Sequence, residues 1–246
     1  LTSIAGKTAW ILGAGSGVGR ACALALAEAG ASVAISGRRI EALEATRSAS
    51  TGRIEIAPLD ITDAKAVQST CAAIVDKIGR IDILVNSAGQ NLARREWSKL
   101  DPADWDRILA TNTSGAFYAM RSVLNVMRLH RSGLIVNIAS WVSRYPLKFA
   151  GTAYTASKSA MLAMTQTVNM EEGVHGIRAC AILPAAIASE MLQKRAVPFS
   201  EEEIAQMLTP EDIARVVRFV AETPEGVVLN EITVSPVRNM IYERSA

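Results

Sequence analysis

The chain has 246 residues, half of them apolar, enough to bury a full core as one large domain. Its 26 basic and 24 acidic residues leave a formal charge of +2, and basic clusters such as Arg38-Arg39 and Arg94-Arg95 are only two residues long, so neither nucleic acid nor an anionic membrane is implied as a partner. No apolar run approaches the roughly 18 residues of a membrane span. The opening LTSIAGKTAW lacks a charged segment followed by a long apolar one, and the expectation is a soluble, cytoplasmic protein. Cys22, Cys71 and Cys180 form no Cys-x-x-Cys pair and are read as small core residues in a reducing compartment. His130 and His175 fall near expected helix ends and suggest surface or capping roles, so no metal centre is expected.

Taken in order, short β-rich runs alternate with longer helical ones. Strands are expected at 8–12, 32–36, 54–58, 81–86, 134–139, 178–183 and 228–234, most of them near-continuous apolar runs suited to a sheet buried on both faces. The first is followed by GAGSGVG and the helix GVGRACALALAEAG, which stops at Gly30, a residue suited to a left-handed cap. Further on, DPADWDRIL places Asp101 at an N-cap with Pro102 at the first helical position, and TPEDIARVV repeats the design with Thr209 and Pro210. Two long helices are expected around 102–129 and 152–172. The alternation predicts one doubly wound α/β domain over 1–246, built on a seven-stranded parallel sheet. Only 184–208 is irregular enough for a mobile flap over a substrate.

Ligands of open α/β sheets bind beyond the carboxyl ends of the strands. In this chain those ends carry the glycine loop from Gly13 to Gly19, then Gly37, Arg38 and Arg39, then Asp60, then NSAG from Asn86 to Gly89, then Ser140 and Pro184. A glycine loop between an apolar strand and a helix start lets backbone approach an anion at the positive helix end, the context of a dinucleotide site.

AYTASKSAML sets Tyr154 and Lys158 four positions apart, on one face of a helix. A phenol of pKa about 10 needs a shift of roughly 3 units, about 4 kcal/mol, to act as a proton shuttle near neutrality. An ammonium about 4 Å away supplies roughly that at an effective dielectric of about 20. Desolvation of the phenolate opposes the shift, so a further positive charge would help, the oxidised nicotinamide ring being one candidate. Tyr145 is the rival tyrosine, but Phe149 stands at its i+4 position and Pro146 follows it.

Almost from end to end the chain resembles a short-chain dehydrogenase/reductase of the compact single-domain branch. The family's glycine motif appears as LGAGSGVG, with Leu12 in place of threonine, and its Asn-Asn-Ala-Gly as NSAG, with Ser87 for the second asparagine. Its helical asparagine matches Asn112 in ATNTSG, and its Ser, Tyr and Lys fall on Ser140, Tyr154 and Lys158. Its Pro-Gly segment reads PAAIAS, with Ala185 for glycine and Ser189 for threonine, and LNEITVSPVR stands where Asp-Gly-Gly is common.

The resemblance implies a Rossmann-type fold and a nicotinamide dinucleotide held by Gly13, Ser16, Gly17, Val18, Gly19, Arg38, Arg39, Asp60, Ile61, Asn86, Ala88, Gly89, Tyr154, Lys158, Pro184, Ile187 and Ser189. Tyr154 would exchange the proton of a carbonyl or secondary alcohol, Ser140 would hydrogen-bond the same oxygen, Lys158 would lower the Tyr154 pKa and grip the nicotinamide ribose, and Asn112 would hold a water linking Lys158 to solvent. At the second strand's end, Gly37 stands where NAD-binding folds usually carry a carboxylate, and Arg38 follows, which favours NADP over NAD.

A non-catalytic dinucleotide sensor and an assembly subunit remain alternatives, though neither needs Ser140, Tyr154 and Lys158 together. The substrate stays open among a ketoacyl thioester, a β-hydroxy acid, a sugar and a hydrophobic ketone. Trp141, Tyr145, Leu147, Phe149, Ile187, Met191 and Leu192 offer a largely apolar lining, some of it core. Arg94, Arg95 and Arg144 are candidates to meet an acidic group, with solvated surface the safer reading for each. Apolar and small residues on several faces of the two long helices, among them Ala160, Met161, Ala163 and Met164, predict a homotetramer or homodimer, with the same helices as the contact.

Overall fold

The computed structural model describes residues 1–189, 199–239 and 242. Among these, the strands are β1 (Thr8–Leu12), β2 (Ser32–Ser36), β3 (Ile54–Ile56), β4 (Ile83–Asn86), β5 (Gly133–Ile138), β6 (Ile177–Pro184) and β7 (Glu231–Val234). They form one parallel sheet in the order β3-β2-β1-β4-β5-β6-β7. The chain winds outward from β1 to β3, then crosses back to β4 beside β1. That reversal opens a crevice at the carboxyl ends of β1 and β4.

The helices are α1 (Gly17–Glu28), α2 (Ile40–Ser48), α3 (Ala64–Ile78), α4 (Pro102–Leu109), α5 (Gly115–His130), α6 (Thr152–Glu172), α7 (Glu201–Ala205) and α8 (Pro210–Ala221). Alternation along each strand sorts side chains to the two faces. Ala9, Ile11, Val33 and Ile35 pack with Cys22 and Leu26 of α1 and Ile213 and Val217 of α8. Trp10, Leu12, Ala34 and Leu84 face the other way, onto Cys71 of α3 and Val123 and Met127 of α5. The central strands β1, β4, β5 and β6 are buried along their whole length, which explains their near-unbroken apolar sequence. The three cysteines are free and buried, and burial pushes the thiols of Cys22, Cys71 and Cys180 up to about 12, 11 and 12.

The caps lie where the sequence places them. Gly30 has φ +90°, Asp101 accepts a hydrogen bond from the Ala103 N–H at 2.8 Å, and Thr209 forms a capping box with Asp212. Several expectations change. β3 ends at Ile56 rather than residue 58, and β4 begins at Ile83 rather than residue 81. The last strand begins at Glu231 rather than residue 228, because pairing with β6 starts at Ala181 opposite Glu231 and leaves Val228 half-exposed. The helix expected around 102–129 is α4 and α5 joined by one π-helical turn, Ala110–Ser114. Gly115 sits so close to Ile61 that a Cβ would lie 2.7 Å from its Cγ1. Finally, 184–208 is not wholly irregular: α7 carries a capping box of Ser200 and Glu203, and Ile187 bridges Leu208. Met191 and Leu192 lie outside the described residues.

Candidate active site

The glycine loop is shaped from within. Gly13 has φ +77°, and a Cβ on it would lie 2.7 Å from the Ala88 Cα, so the turn after β1 packs backbone to backbone against the turn after β4. A Cβ on Gly19 would come within 2.3 Å of the Gly13 carbonyl oxygen. The Thr46 hydroxyl of α2 donates to the Ala14 carbonyl at 2.9 Å and steadies the loop from the other side. Ser16 makes no side-chain cap bond and the first turn of α1 has no acidic residue. The first N–H groups of α1 have no intrahelical acceptor, and the helix dipole adds positive potential there. The loop therefore fits the pyrophosphate of a dinucleotide.

A cleft of about 700 Å³ runs along the carboxyl edge of the sheet. Its lining includes Gly13, Ser16, Gly17, Val18, Arg38, Arg39, Asp60, Ile61, Ala88, Gly89, Ser140, Tyr154, Lys158, Pro184, Ile187 and Ser189. Three expected residues lie behind it instead. Gly19 is buried under the loop that it allows to close. Asn86 is buried because its Nδ2 reaches across to the Asn137 Oδ1 at 2.6 Å, and Asn137 in turn donates to the Thr165 hydroxyl at 2.8 Å. Asn112 is fully buried in the π turn, where its Oδ1 accepts from the Gln90 N–H at 2.9 Å and its Nδ2 donates to the Gln90 carbonyl and the Ser157 hydroxyl, both at 3.0 Å. The π turn swings this side chain out of the helical register toward the sheet edge.

Ser140 follows β5 in extended backbone and caps a 3-10 turn, Trp141–Ser143. Its hydroxyl lies close enough to the Tyr154 phenol to pull the phenol's pKa down. Lys158, one turn further along α6, is buried and donates from Nζ to the Ile138 carbonyl at 2.7 Å. A Cβ on Gly89 would lie 3.5 Å from this Nζ and 3.6 Å from the Asn112 Oδ1, so the missing side chain keeps a gap between them.

The electrostatics depart from the sequence expectation. Burial holds the Tyr154 phenol above its ordinary value, against the Ser140 hydroxyl and the charge of Arg95, which both pull it down. Burial also brings Lys158 down to about 8. The Lys158 Nζ lies 5.9 Å from the centre of the Tyr154 ring and is directed to a backbone carbonyl. Arg95, expected on solvated surface, is near enough for its charge to pull the phenol's pKa down. Arg95 is half-buried, whereas Arg94 is exposed and Arg144 is paired with Glu231 at 2.6 Å.

The remaining expectations separate likewise. Trp141 is buried beneath Tyr145 and Tyr242, with ring centres 5.2 and 5.6 Å away, and so belongs to packing. Tyr145 and Phe149 are exposed, and of the apolar residues named from sequence, Ile187 lines the cleft. Sequence reading missed Gln90, which lines the cleft and ties Asn112 and Thr111 together, its Nε2 lying 2.7 Å from the Thr111 hydroxyl. Its place directly after NSAG was the available signal. Ser157 and Asn137 had none, since only tertiary contacts give them a role. Among the described residues no group of three or more His, Cys, Asp or Glu side chains is placed to hold a metal, and no helix is long and apolar enough to cross a membrane.

Strand order, glycine loop and crevice define a Rossmann-type α/β protein whose crevice holds a Ser, Tyr and Lys group. The chain belongs to the short-chain dehydrogenase family, whose model matches residues 7–197. It is 31% identical over 238 residues to an uncharacterized oxidoreductase of Staphylococcus aureus strain MW2, covering 96% of this chain and 100% of that protein. A metagenomic short-chain oxidoreductase in complex with NADP superposes with a TM-score of 0.83 at 27% identity, over 97% of this chain and 100% of the other. A 3-ketoacyl-(acyl-carrier-protein) reductase from Brucella melitensis, complexed with NADH, gives 0.88 at 25% identity, over 96% and 99%. The protein is accordingly an oxidoreductase of this family.

Proposed function

We propose that the chain is one catalytic domain that transfers a hydride between a nicotinamide dinucleotide, NADP(H) in preference to NAD(H), and a carbonyl or secondary alcohol. The observation that carries this reading is that Ser140, Tyr154 and Lys158 line the same cleft as the glycine loop, with Lys158 one turn of α6 beyond Tyr154. When bound, the dinucleotide supplies or accepts the hydride. Gly13, Ser16, Gly17, Val18 and the start of α1 hold its pyrophosphate, while Arg38, Arg39, Asp60 and Ile61 take the adenosine end. Ala88, Gly89, Pro184, Ile187 and Ser189 hold the nicotinamide half, and Lys158 grips its ribose. Gly19, Asn86 and Asn112 act from behind the cleft, as shape and support. In reduction Tyr154 gives its phenolic proton to the carbonyl oxygen, and in oxidation the phenolate takes it from the alcohol. Ser140 donates a hydrogen bond to the same oxygen. Asn112 would in addition hold a water that links Lys158 to solvent.

Adding NADPH with fluorescence detection, then a panel of ketones, tests the reading. Binding followed by ketone-dependent oxidation is expected. Binding without turnover would make the protein a dinucleotide sensor, and no binding an assembly subunit.

The same reading includes a cytoplasmic homotetramer, or a homodimer as its half, and a substrate flap within 184–208. Phe117 on α5 and Met170 on α6 are exposed apolar residues that a partner would cover, although Met161, expected on the same surface, belongs to the core of its own chain. Light scattering at micromolar concentration should give four times the chain mass. A monomer would overturn the assembly.

A further inference from the structure

Gln90 lies just beyond the carboxyl end of β4 and lines the cleft. Its backbone and its side chain both engage the segment that joins α4 to α5. The backbone closes a ring with Asn112: the Gln90 N–H donates to the Asn112 Oδ1 at 2.9 Å, and the Gln90 carbonyl accepts from Nδ2 at 3.0 Å. Any residue but proline could supply that pair. The side chain adds a second tie, since Nε2 donates to the Thr111 hydroxyl at 2.7 Å and to the Arg107 carbonyl at 3.2 Å. Both hydrogens of the amide are thereby spent on the helix rather than on the cleft. The two acceptors flank the point where the helix widens. The Ala110 N–H bonds to the Asp106 and Arg107 carbonyls, and the Ala110 carbonyl accepts from Gly115, five residues on. Such turns are rare, and nothing in ATNTS itself asks for one, so the widening is held from outside. A slip of one residue would rotate Asn112 by about 100° about the helix axis. It would leave the point beside Gly89 that its Oδ1 shares with the Lys158 Nζ, and the Ser157 hydroxyl, which accepts from its Nδ2 at 3.0 Å and donates to the Tyr154 carbonyl at 2.7 Å.

We propose that Gln90 is a positioning residue whose side-chain amide locks the π turn in register and so holds Asn112 at the gap beside Lys158. This rests on the reading of Asn112 and Lys158 as the proton link behind Tyr154. The role uses the two N–H donors and not the amide oxygen. Glutamate has the length and no donor, and asparagine has the donors one methylene too short.

Amide hydrogen exchange of the full chain, and kinetics with NADPH and ethyl acetoacetate, cyclohexanone or acetophenone, test this in Gln90→Met and Gln90→Glu. The first variant keeps the length alone, and the second keeps the oxygen as well. Both should speed exchange across 107–115 by about 5-fold or more, with α3 unchanged, as expected for one to two lost hydrogen bonds. On whichever ketone wild type reduces, both should lower kcat by about 5- to 10-fold and leave the NADPH Kd within about 2-fold. Thr111→Val, which removes one of the two acceptors, should give part of the same loss. In an Asn112→Ala background Gln90→Met should cost nothing further, because the amide acts through Asn112. Failure of the underlying reading shows separately, as NADPH oxidised with none of the ketones, and exchange then still decides the lock. Unchanged exchange across 107–115, a wild-type rate in Gln90→Glu, or a loss in Gln90→Met that persists in full without Asn112 would overturn the proposal.

Discussion

Tyr154→Phe should lower kcat by about 10²- to 10⁴-fold, the range a positioned proton donor contributes, while the dinucleotide Kd changes little. The substitution removes one hydroxyl and keeps the ring. Neighbouring Ser140 keeps its contact with the Val142 N–H at 3.4 Å, so stability should fall by no more than about 0.5–1.5 kcal/mol, the most that one lost hydroxyl contact is worth. Steady-state kinetics beside a thermal melt separate lost chemistry from lost fold, and wild-type kcat in the variant would sink the assignment. The pH profile carries the same test. The phenol is held above its usual pKa, so the protonated form that reduction uses persists through neutral pH. The phenolate that oxidation uses becomes populated only as pH rises, and kcat/KM for oxidation should climb through the alkaline range. Removing the Arg95 charge with Arg95→Met should push that limb further up, because the phenolate loses a stabilising neighbour. An oxidation rate that falls from neutral to alkaline pH would mean that Tyr154 is not the base.

The second large effect concerns the 2′-phosphate. Wild type should bind NADPH roughly 10- to 100-fold more tightly than NADH, the worth of one charge-assisted hydrogen bond. Arg38 and Gly37 line the cleft at the end of β2, with no carboxylate between them to repel a phosphate. Asp60, the acidic residue across from them, is occupied: its Oδ1 accepts from the Thr62 N–H and hydroxyl at 3.0 and 2.8 Å, which together with the Arg38 charge keeps its carboxyl below the usual range. Gly37→Asp with Arg38→Leu should reverse the order of affinity, a change of two effects acting in the same direction. The new side chain has room, since a Cβ at Gly37 meets only the Leu43 Cδ2 at an ordinary 3.5 Å. Fluorescence titration with both dinucleotides decides it. Equal wild-type affinities would show that Arg38 does not read the phosphate.

Much of this architecture was legible because its signals are local. An apolar run buried on both faces reads as a central strand wherever it stands, and Asp101-Pro102 or Thr209-Pro210 announces a helix start within four residues. The edge strand β7 was misjudged because Val228 has strand composition but no strand beside it, and pairing is a property of two segments. The π turn escaped for a similar reason. Nothing local in ATNTS departs from helix, and its register is set by Gln90, Ser157 and Ile61, which come from three other parts of the chain.

The site divides along the same line. Sequence by itself determined the fold class, the glycine loop and the choice of Ser140, Tyr154 and Lys158 as the candidate group, since these depend on spacing along one strand end or one helix face. Only the tertiary structure decided that Asn86, Asn112 and Gly19 stand behind the cleft, that the Lys158 ammonium is directed to the Ile138 carbonyl, and that Arg95 rather than Arg94 or Arg144 supplies the charge beside the phenol. Burial and counterion pairing are sums over neighbours brought together by folding, and three arginines with the same pKa in water become a surface charge, an ion-pair partner and a half-buried cation beside Tyr154.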